Sequence, residues 1–192
     1  MKLLLLSANT TQSPYPVYPL GLDHIAGSLK PRHELVILDM NVVGGLERLE
    51  AAVRELGPDV IGLSVRNIDN VDTVATISFV EGYERIIRIL RGCAKAPIVL
   101  GGSGFSIFPG ELMALLDADF GVVGEGEYLG SLLDALEEGT AVGDFPGIVC
   151  RGGSLRAPVP WPGPVRRMIG PVDDRFRFYL ERGGMLNLQT KR

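Results

Sequence analysis

Pro97-Ile-Val-Leu-Gly-Gly-Ser-Gly-Phe105 and, about twenty residues later, Ala118-Asp-Phe-Gly-Val-Val-Gly-Glu-Gly-Glu127 decide how this chain is read. Each is a short apolar run that ends in a glycine cluster, and the segment between them opens as a helix would, with Pro109-Gly-Glu-Leu112. Apolar runs separated by helices are the mark of a parallel sheet, whose neighbouring strands need a crossover to join them. Glycine lacks a Cβ, so backbone can approach a bulky ligand at the carboxyl ends of such strands. The same glycines also suit a plain tight turn. They do not follow the first strand with the G-x-G-x-x-G spacing of dinucleotide binders.

Working outward, the apolar runs at 2–7, 34–39 and 59–65 read as three further strands, and 119–123 as the fifth. Leu46, Leu49, Val53 and Leu56 fall at helical spacing, and Gly57-Pro58 ends that helix. Helices are also expected over 20–30, from Pro109, over 127–138 and over 72–91. The last carries Ile86, Ile89 and Leu90 as its stripe, with an irregular start where β-branched residues crowd. The pattern predicts an α/β fold, a doubly wound, mostly parallel sheet with right-handed crossovers. Residues 147–156 read as a β-hairpin around Gly152-Gly153 that extends the sheet edge.

Beyond it, Pro158, Pro160, Pro162, Pro164 and Pro171 deny ladder donors and favour an extended strap. An aromatic-basic stretch at 175–180 follows, and 183–190 has the look of an opening strand. The expected organisation is one α/β domain over 1–156 and a Pro-rich linker over 157–192 that begins a further unit.

At 192 residues and 46% hydrophobic, the chain can bury one substantial core. A formal charge of −4 without a Lys/Arg cluster argues against nucleic acid. No apolar run approaches the roughly 18 residues that cross a bilayer, and Met1-Lys-Leu-Leu-Leu-Leu6 is too short for a secretory leader. Cys93 and Cys150, far apart in sequence, point to a reduced, cytoplasmic setting. Neither has metal-ligand spacing with His24 or His33, so no metal site is expected. His24 is expected on a helix surface and His33, beside Pro31, in solvent.

Candidate ligand residues cluster at strand ends. The long loop after the first strand offers Asn9, Thr10, Tyr15 and Tyr18, whose flat or hydroxylic groups suit a planar ligand or packing against the first helix. After the third strand, Ser64, Val65, Arg66, Asn67 and Asn70 could meet amide or phosphate oxygens; Asn67, Asp69 and Asn70 could equally shape a turn and cap a helix. Gly101, Gly102, Ser103, Gly104 and Phe105 present free amides at a helix start. In Gly124, Glu125, Gly126 and Glu127, one carboxylate is expected to cap the next helix and one to meet a ligand hydroxyl. No partner for acid-base work accompanies them, so no catalytic residue is assigned.

With these residues in hand, the chain resembles the amino-terminal cobalamin-binding domain of radical S-adenosylmethionine proteins, the class that includes anaerobic magnesium-protoporphyrin ester cyclases and corrinoid-dependent methylases. The carriers are the P-x-x-P-x-G-L-x-x-x-A-x-x-L pattern over 16–29, Ile61-Gly-Leu-Ser-Val-Arg-Asn-Ile-Asp69, and the two glycine-ended stretches above. The resemblance implies a flavodoxin-like sheet of order 2-1-3-4-5 with the corrin on its carboxyl rim. It implies that residues 9–18 and 64–70 border the corrin, while 101–105 and 124–127 accommodate the nucleotide tail and propionamides.

The D-x-H-x-x-G signature is absent, since Leu22 stands where its aspartate belongs, which implies a base-off, histidine-off cobalamin. Residues 188–192 are similar to the family segment just before the G-C-x-x-x-C-x-x-C cluster loop. A [4Fe-4S] cluster, S-adenosylmethionine and the substrate of a methyltransferase or oxidative cyclase are therefore expected in a radical domain that this chain lacks. Alone it is expected to bind cobalamin without catalysis. An FMN-binding flavodoxin-like redox protein is the alternative, although Pro14, Pro16 and Pro19 stand between the loop and its helix. A phosphoacceptor receiver domain is disfavoured because the first strand ends in Ser7-Ala-Asn9 rather than paired acids.

Overall fold

Leu3, Leu4, Leu5 and Leu6 are all at most 2% exposed, as expected of a strand covered on both faces. In the computed structural model, which describes residues 1–29, 32–70, 78–142, 145–163 and 173–184, they form β1 (Lys2–Ser7). It lies parallel to β2 (Glu34–Asp39), β3 (Val60–Ser64), β4 (Ile98–Gly101) and β5 (Phe120–Val122), in the sheet order 2-1-3-4-5 that the family resemblance implies. β6 (Ile148–Cys150) adds antiparallel beside β5.

The period of two along these strands builds two cores. Leu4, Leu6, Ile61, Leu63, Ile98 and Leu100 face α3 (Leu46–Leu56) and α4 (Val80–Cys93) through Leu49, Val53, Ile86 and Leu90. Leu3, Leu5, Val60, Val99 and Val122 face α1 (Leu20–Leu29) and α7 (Tyr128–Glu138) through Leu22, Leu29, Leu129 and Leu132. Because strand order reverses between β1 and β3, the loops after them part and leave a crevice at the carboxyl rim.

Several elements differ from expectation. Short helices α2 (Met40–Val43) and α5 (Ser103–Ile107) follow β2 and β4, ahead of α6 (Pro109–Leu115). α4 begins at Val80; its expected start at residue 72 lies outside the described residues, as does Lys30 of the first helix.

The hairpin has one arm only. Gly153 N–H donates to the Cys150 carbonyl in the turn and Gly147 N–H to the Arg156 carbonyl, but no return strand forms. The chain there leads straight into Pro158 and Pro160, which have no N–H to continue a ladder. The strap instead folds back, with Trp161 edge-on to Tyr128 at 5.1 Å.

The stretch at 175–180, read as part of a linker, is a helix, α8 (Asp174–Gly183), capped by Asp173, which accepts from Phe176 N–H at 2.8 Å. The expected strand at 183–190 falls almost wholly outside the described residues. His33, expected in solvent, is buried at the amino end of β2. Burial, and then the N-terminal ammonium group, depress its pKa.

Asp119 ties the carboxyl ends of α4 and β6 to the amino ends of β4 and β5. It accepts from Ile98 N–H (2.7 Å), Arg91 (2.7 Å) and Arg151 (3.0 Å). No described helix is long and apolar enough to cross a membrane.

Candidate cobalamin site

The loop after β1 divides the carboxyl rim into two cavities, and Asn9 lines both. The first, about 360 Å³, is walled by Ser7 at the end of β1, Val17, Tyr18 and Pro19 of the loop, and the opening turn of α1. Ser64 at the end of β3, Arg66 beyond it, and Gly102 and Ser103 after β4 complete it. Below it an apolar recess of about 40 Å³ reaches Gly101, Gly62 and Val99 between the sheet, Leu22 of α1 and Leu129 of α7. The second cavity, about 460 Å³, lies towards β2 and α4. Thr10, Thr11 and Gln12 of the loop face Asn41 and Gly44 after β2 and Ser78, Tyr83 and Arg85 at the start of α4.

Six of the sequence-predicted residues thus meet around the first cavity: Asn9, Tyr18, Ser64, Arg66, Gly102 and Ser103. Thr10 lines the second, and Gly101 the recess. Others are elsewhere. Val65 is buried, and its carbonyl accepts from Gly104 and Phe105 N–H at 3.0 and 3.3 Å, so it anchors α5. Phe105 is fully buried against Gly121. Tyr15 is on the surface, and the Asn67 carbonyl accepts from the Tyr83 hydroxyl at 2.7 Å. Asn70 follows Asp69, which pairs with Ser78 in a single antiparallel bridge.

The glycines do a job the sequence reading did not assign. A Cβ on Gly102, whose φ is +101°, would stand 2.6 Å from the Val65 carbonyl oxygen, and one on Gly104 would stand 2.8 Å from that of Arg66. Both let α5 pack onto the backbone that leaves β3, and this packing sets Ser64 and Arg66 beside Ser103. Gly124 lies under Pro158 and Gly126 against Ile25, and no residue of 124–127 lines the three cavities. Glu127 is buried where α7 begins, with no side-chain capping bond.

Sequence reading missed the polar cluster behind the loop. Arg175 of α8 pairs with Asp23 of α1 at 2.9 Å, Asp23 accepts the Tyr18 hydroxyl proton, and the Arg175 guanidinium lies 5.5 Å from the Tyr18 ring centre. Tyr179 of α8 donates to Asp39 at 2.9 Å and accepts from Asn41 at 3.2 Å. Burial is the largest influence pushing both tyrosine hydroxyls far above their ordinary range, so both stay protonated as donors. The available signal was the four-residue spacing of Arg175 and Tyr179, which puts both on one helix face.

Among the described residues no group of three His, Cys, Asp or Glu side chains could hold a metal ion. The rim offers serine hydroxyls, an amide and a guanidinium above an apolar recess. These are partners for amide, hydroxyl or phosphate oxygens of a ligand.

A flavodoxin-like sheet with its ligand crevice at the β1/β3 reversal defines a class of rim-binding α/β domains. Within that class, residues 6–133 match the family model of the B12 binding domain, and the chain belongs to that family. It is 31% identical over 172 residues to the tryptophan 2-C-methyltransferase of Streptomyces laurentii, covering 86% of this chain and 27% of that protein.

Among solved structures it resembles the radical S-adenosylmethionine methyltransferase TsrM of Kitasatospora setae with cobalamin and a [4Fe-4S] cluster bound. There the TM-score is 0.74 and the identity 30%, over 82% of this chain and 30% of that one. The cobalamin-dependent radical enzyme OxsB with aqua-cobalamin bound shares the fold, with a TM-score of 0.63 at 21% identity, over 82% of this chain and 22% of that one. The chain thus spans under a third of the length of these relatives. The match is to a B12 family and gives no support to the flavin alternative.

Proposed function

We propose that this chain is the cobalamin module of a longer radical S-adenosylmethionine enzyme that transfers a methyl group to a small molecule. The observation that carries the reading is the meeting of Ser7, Asn9, Ser64, Arg66, Gly102 and Ser103 around one crevice at the strand-order reversal, inside the segment that matches the B12 family. Ser64 and Ser103 hydroxyls and the Asn9 amide can each donate to and accept from corrin amides, and Arg66 can donate to a phosphate or amide oxygen. The recess beneath, lined by Leu22, Val99 and Leu129, gives the crevice an apolar floor with room for a methyl-sized edge of the ligand. Bound there, cobalamin supplies a cobalt that accepts and hands on a methyl group.

The bound state in this reading is base-off and histidine-off. His33 sits at the amino end of β2, away from the rim, and His24 lines none of the three cavities. Asn9, Tyr18 and Arg66 line the crevice that would hold the corrin, and none of them brings an imidazole to it. The [4Fe-4S] cluster, S-adenosylmethionine and substrate belong, in this reading, to further parts of the enzyme. Half-buried free thiols at Cys93 and Cys150 agree with a reduced, cytoplasmic setting.

The test mixes the purified chain with hydroxocobalamin or with FMN and records absorbance after desalting. Retained corrinoid at about one equivalent, with no histidine nitrogen splitting in the electron paramagnetic resonance spectrum of its reduced Co(II) form, is expected. Retention of FMN in place of corrinoid would refute the reading.

A further inference from the structure

We propose that α8 is a clamp on the walls of both rim cavities, with Arg175 and Tyr179 as positioning residues for the corrinoid. The role in binding rests on the rim being the cobalamin seat. Arg175 and Tyr179 stand one turn apart on the face of α8 that meets the rest of the fold; the Arg175 side chain is only 10% exposed and Tyr179 only 1%.

Towards the first cavity, Tyr18 is held on several sides. Its hydroxyl donates to Asp23, which also pairs with Arg175, and its ring meets the Arg175 guanidinium and the edge of Tyr179 at 5.3 Å. Towards the second cavity, Tyr179 bridges Asp39 and Asn41, and Asn41 in turn accepts from Gln12 at 3.3 Å. Tyr18 lines one cavity; Asn41 and Gln12 line the other. One helix face therefore fixes the loop that separates them at Tyr18 directly and at Gln12 through Asn41.

A helix that only needed to stick to the fold could do so with leucines at no desolvation cost, since buried ion pairs add little net stability over apolar packing. Directional bonds to Asp23, Asp39 and Asn41 add instead a single geometry, even though Arg175 Nη1 is buried without a partner of its own. Walls already held in the bound arrangement lose less freedom when a ligand arrives, and that saving appears as affinity.

The experiment uses the whole chain as wild type, Tyr179→Phe, Arg175→Gln and Arg175→Lys, with Leu133→Ala as a core variant that weakens the fold away from the rim. Amide hydrogen exchange over 9–18 is measured without ligand, and hydroxocobalamin is titrated at a temperature where every variant is folded by circular dichroism. Tyr179→Phe and Arg175→Gln should speed exchange over 9–18 about tenfold, leave β3 and β4 protected, and weaken hydroxocobalamin binding about tenfold. Arg175→Lys, which keeps the charge beside Asp23, should recover part of both, and Leu133→Ala should change neither.

Unchanged exchange over 9–18 in both Tyr179→Phe and Arg175→Gln overturns the clamp. Faster exchange with unchanged affinity overturns its role in binding. If exchange rises but the wild type retains no corrinoid, the cobalamin seat fails while the clamp on the loop stands.

Discussion

The hydroxyl of Tyr179 donates to the Asp39 carboxylate at 2.9 Å across 140 positions of sequence, joining α8 to the carboxyl end of β2. Asp39 also caps α2 by accepting from Asn41 N–H at 3.0 Å. Burial raises its pKa above the ordinary carboxylate range, and those two hydrogen bonds only partly oppose that.

A carboxyl group whose folded pKa is raised contributes stability below its unfolded value and loses it as pH climbs through the folded value. Asp39 therefore costs stability from about pH 4 upward. Asp39→Asn keeps an acceptor for Asn41 N–H and removes the charge, at the cost of placing an amide NH2 where the carboxylate accepts from the Tyr179 hydroxyl. Urea midpoints for the variant should fall less than those of the wild type between acid and neutral pH. Parallel curves would contradict this.

His33 acts in the opposite sense. Its depressed pKa means that it favours the fold above about pH 6.5 and that this advantage disappears as pH falls through the folded value. Its Nδ1 is buried without a hydrogen-bond partner, so an apolar replacement leaves nothing unsatisfied. His33→Leu should match wild-type stability at neutral pH within about 1 kcal/mol and exceed it near pH 5. Thermal melts at the two pH values decide the matter.

Asp119 should be costly to remove. Asp119→Ala orphans Ile98 N–H and releases Arg91 and Arg151, and about 2–3 kcal/mol of unfolding free energy should be lost, moderated by the partial exposure of both arginines. Urea unfolding reads this directly. A loss under about 0.5 kcal/mol would show that water replaces all three partners.

Gly102→Ala should destabilise through the backbone. Its φ of +101° and the 2.6 Å approach of its Cβ to the Val65 carbonyl imply a penalty of about 1–3 kcal/mol or more, visible in melts without any ligand. Loss of cobalamin by this variant would therefore report the fold as much as the site.

The parallel sheet was legible because strands covered on both faces are unbroken apolar runs, as in Leu3, Leu4, Leu5 and Leu6, and because Gly57-Pro58 and Pro109 mark helix ends locally. The candidate site was legible in part, since strand ends in a doubly wound sheet share one rim, and six predicted residues do meet there. Hidden from sequence was the neighbour each residue serves. A glycine shows that space is needed, not whether Val65, Pro158, Ile25 or a ligand fills it. Arg175 and Tyr179 looked like part of a linker because their partners Asp23 and Asp39 lie in the first quarter of the chain. The burial of His33 depends on how the ends of β1 and α7 close over it, which no local pattern encodes.

Gly21 offers the most direct test. It lines the first cavity on α1, and a Cβ built there meets nothing within 4 Å, so a side chain can enter the crevice without disturbing the fold. In a hydroxocobalamin titration of wild type and Gly21→Trp, the account predicts one equivalent bound by wild type and affinity reduced at least about a hundredfold in the variant, with its melting temperature preserved. Equal binding by the two proteins would contradict the placement of cobalamin on this rim.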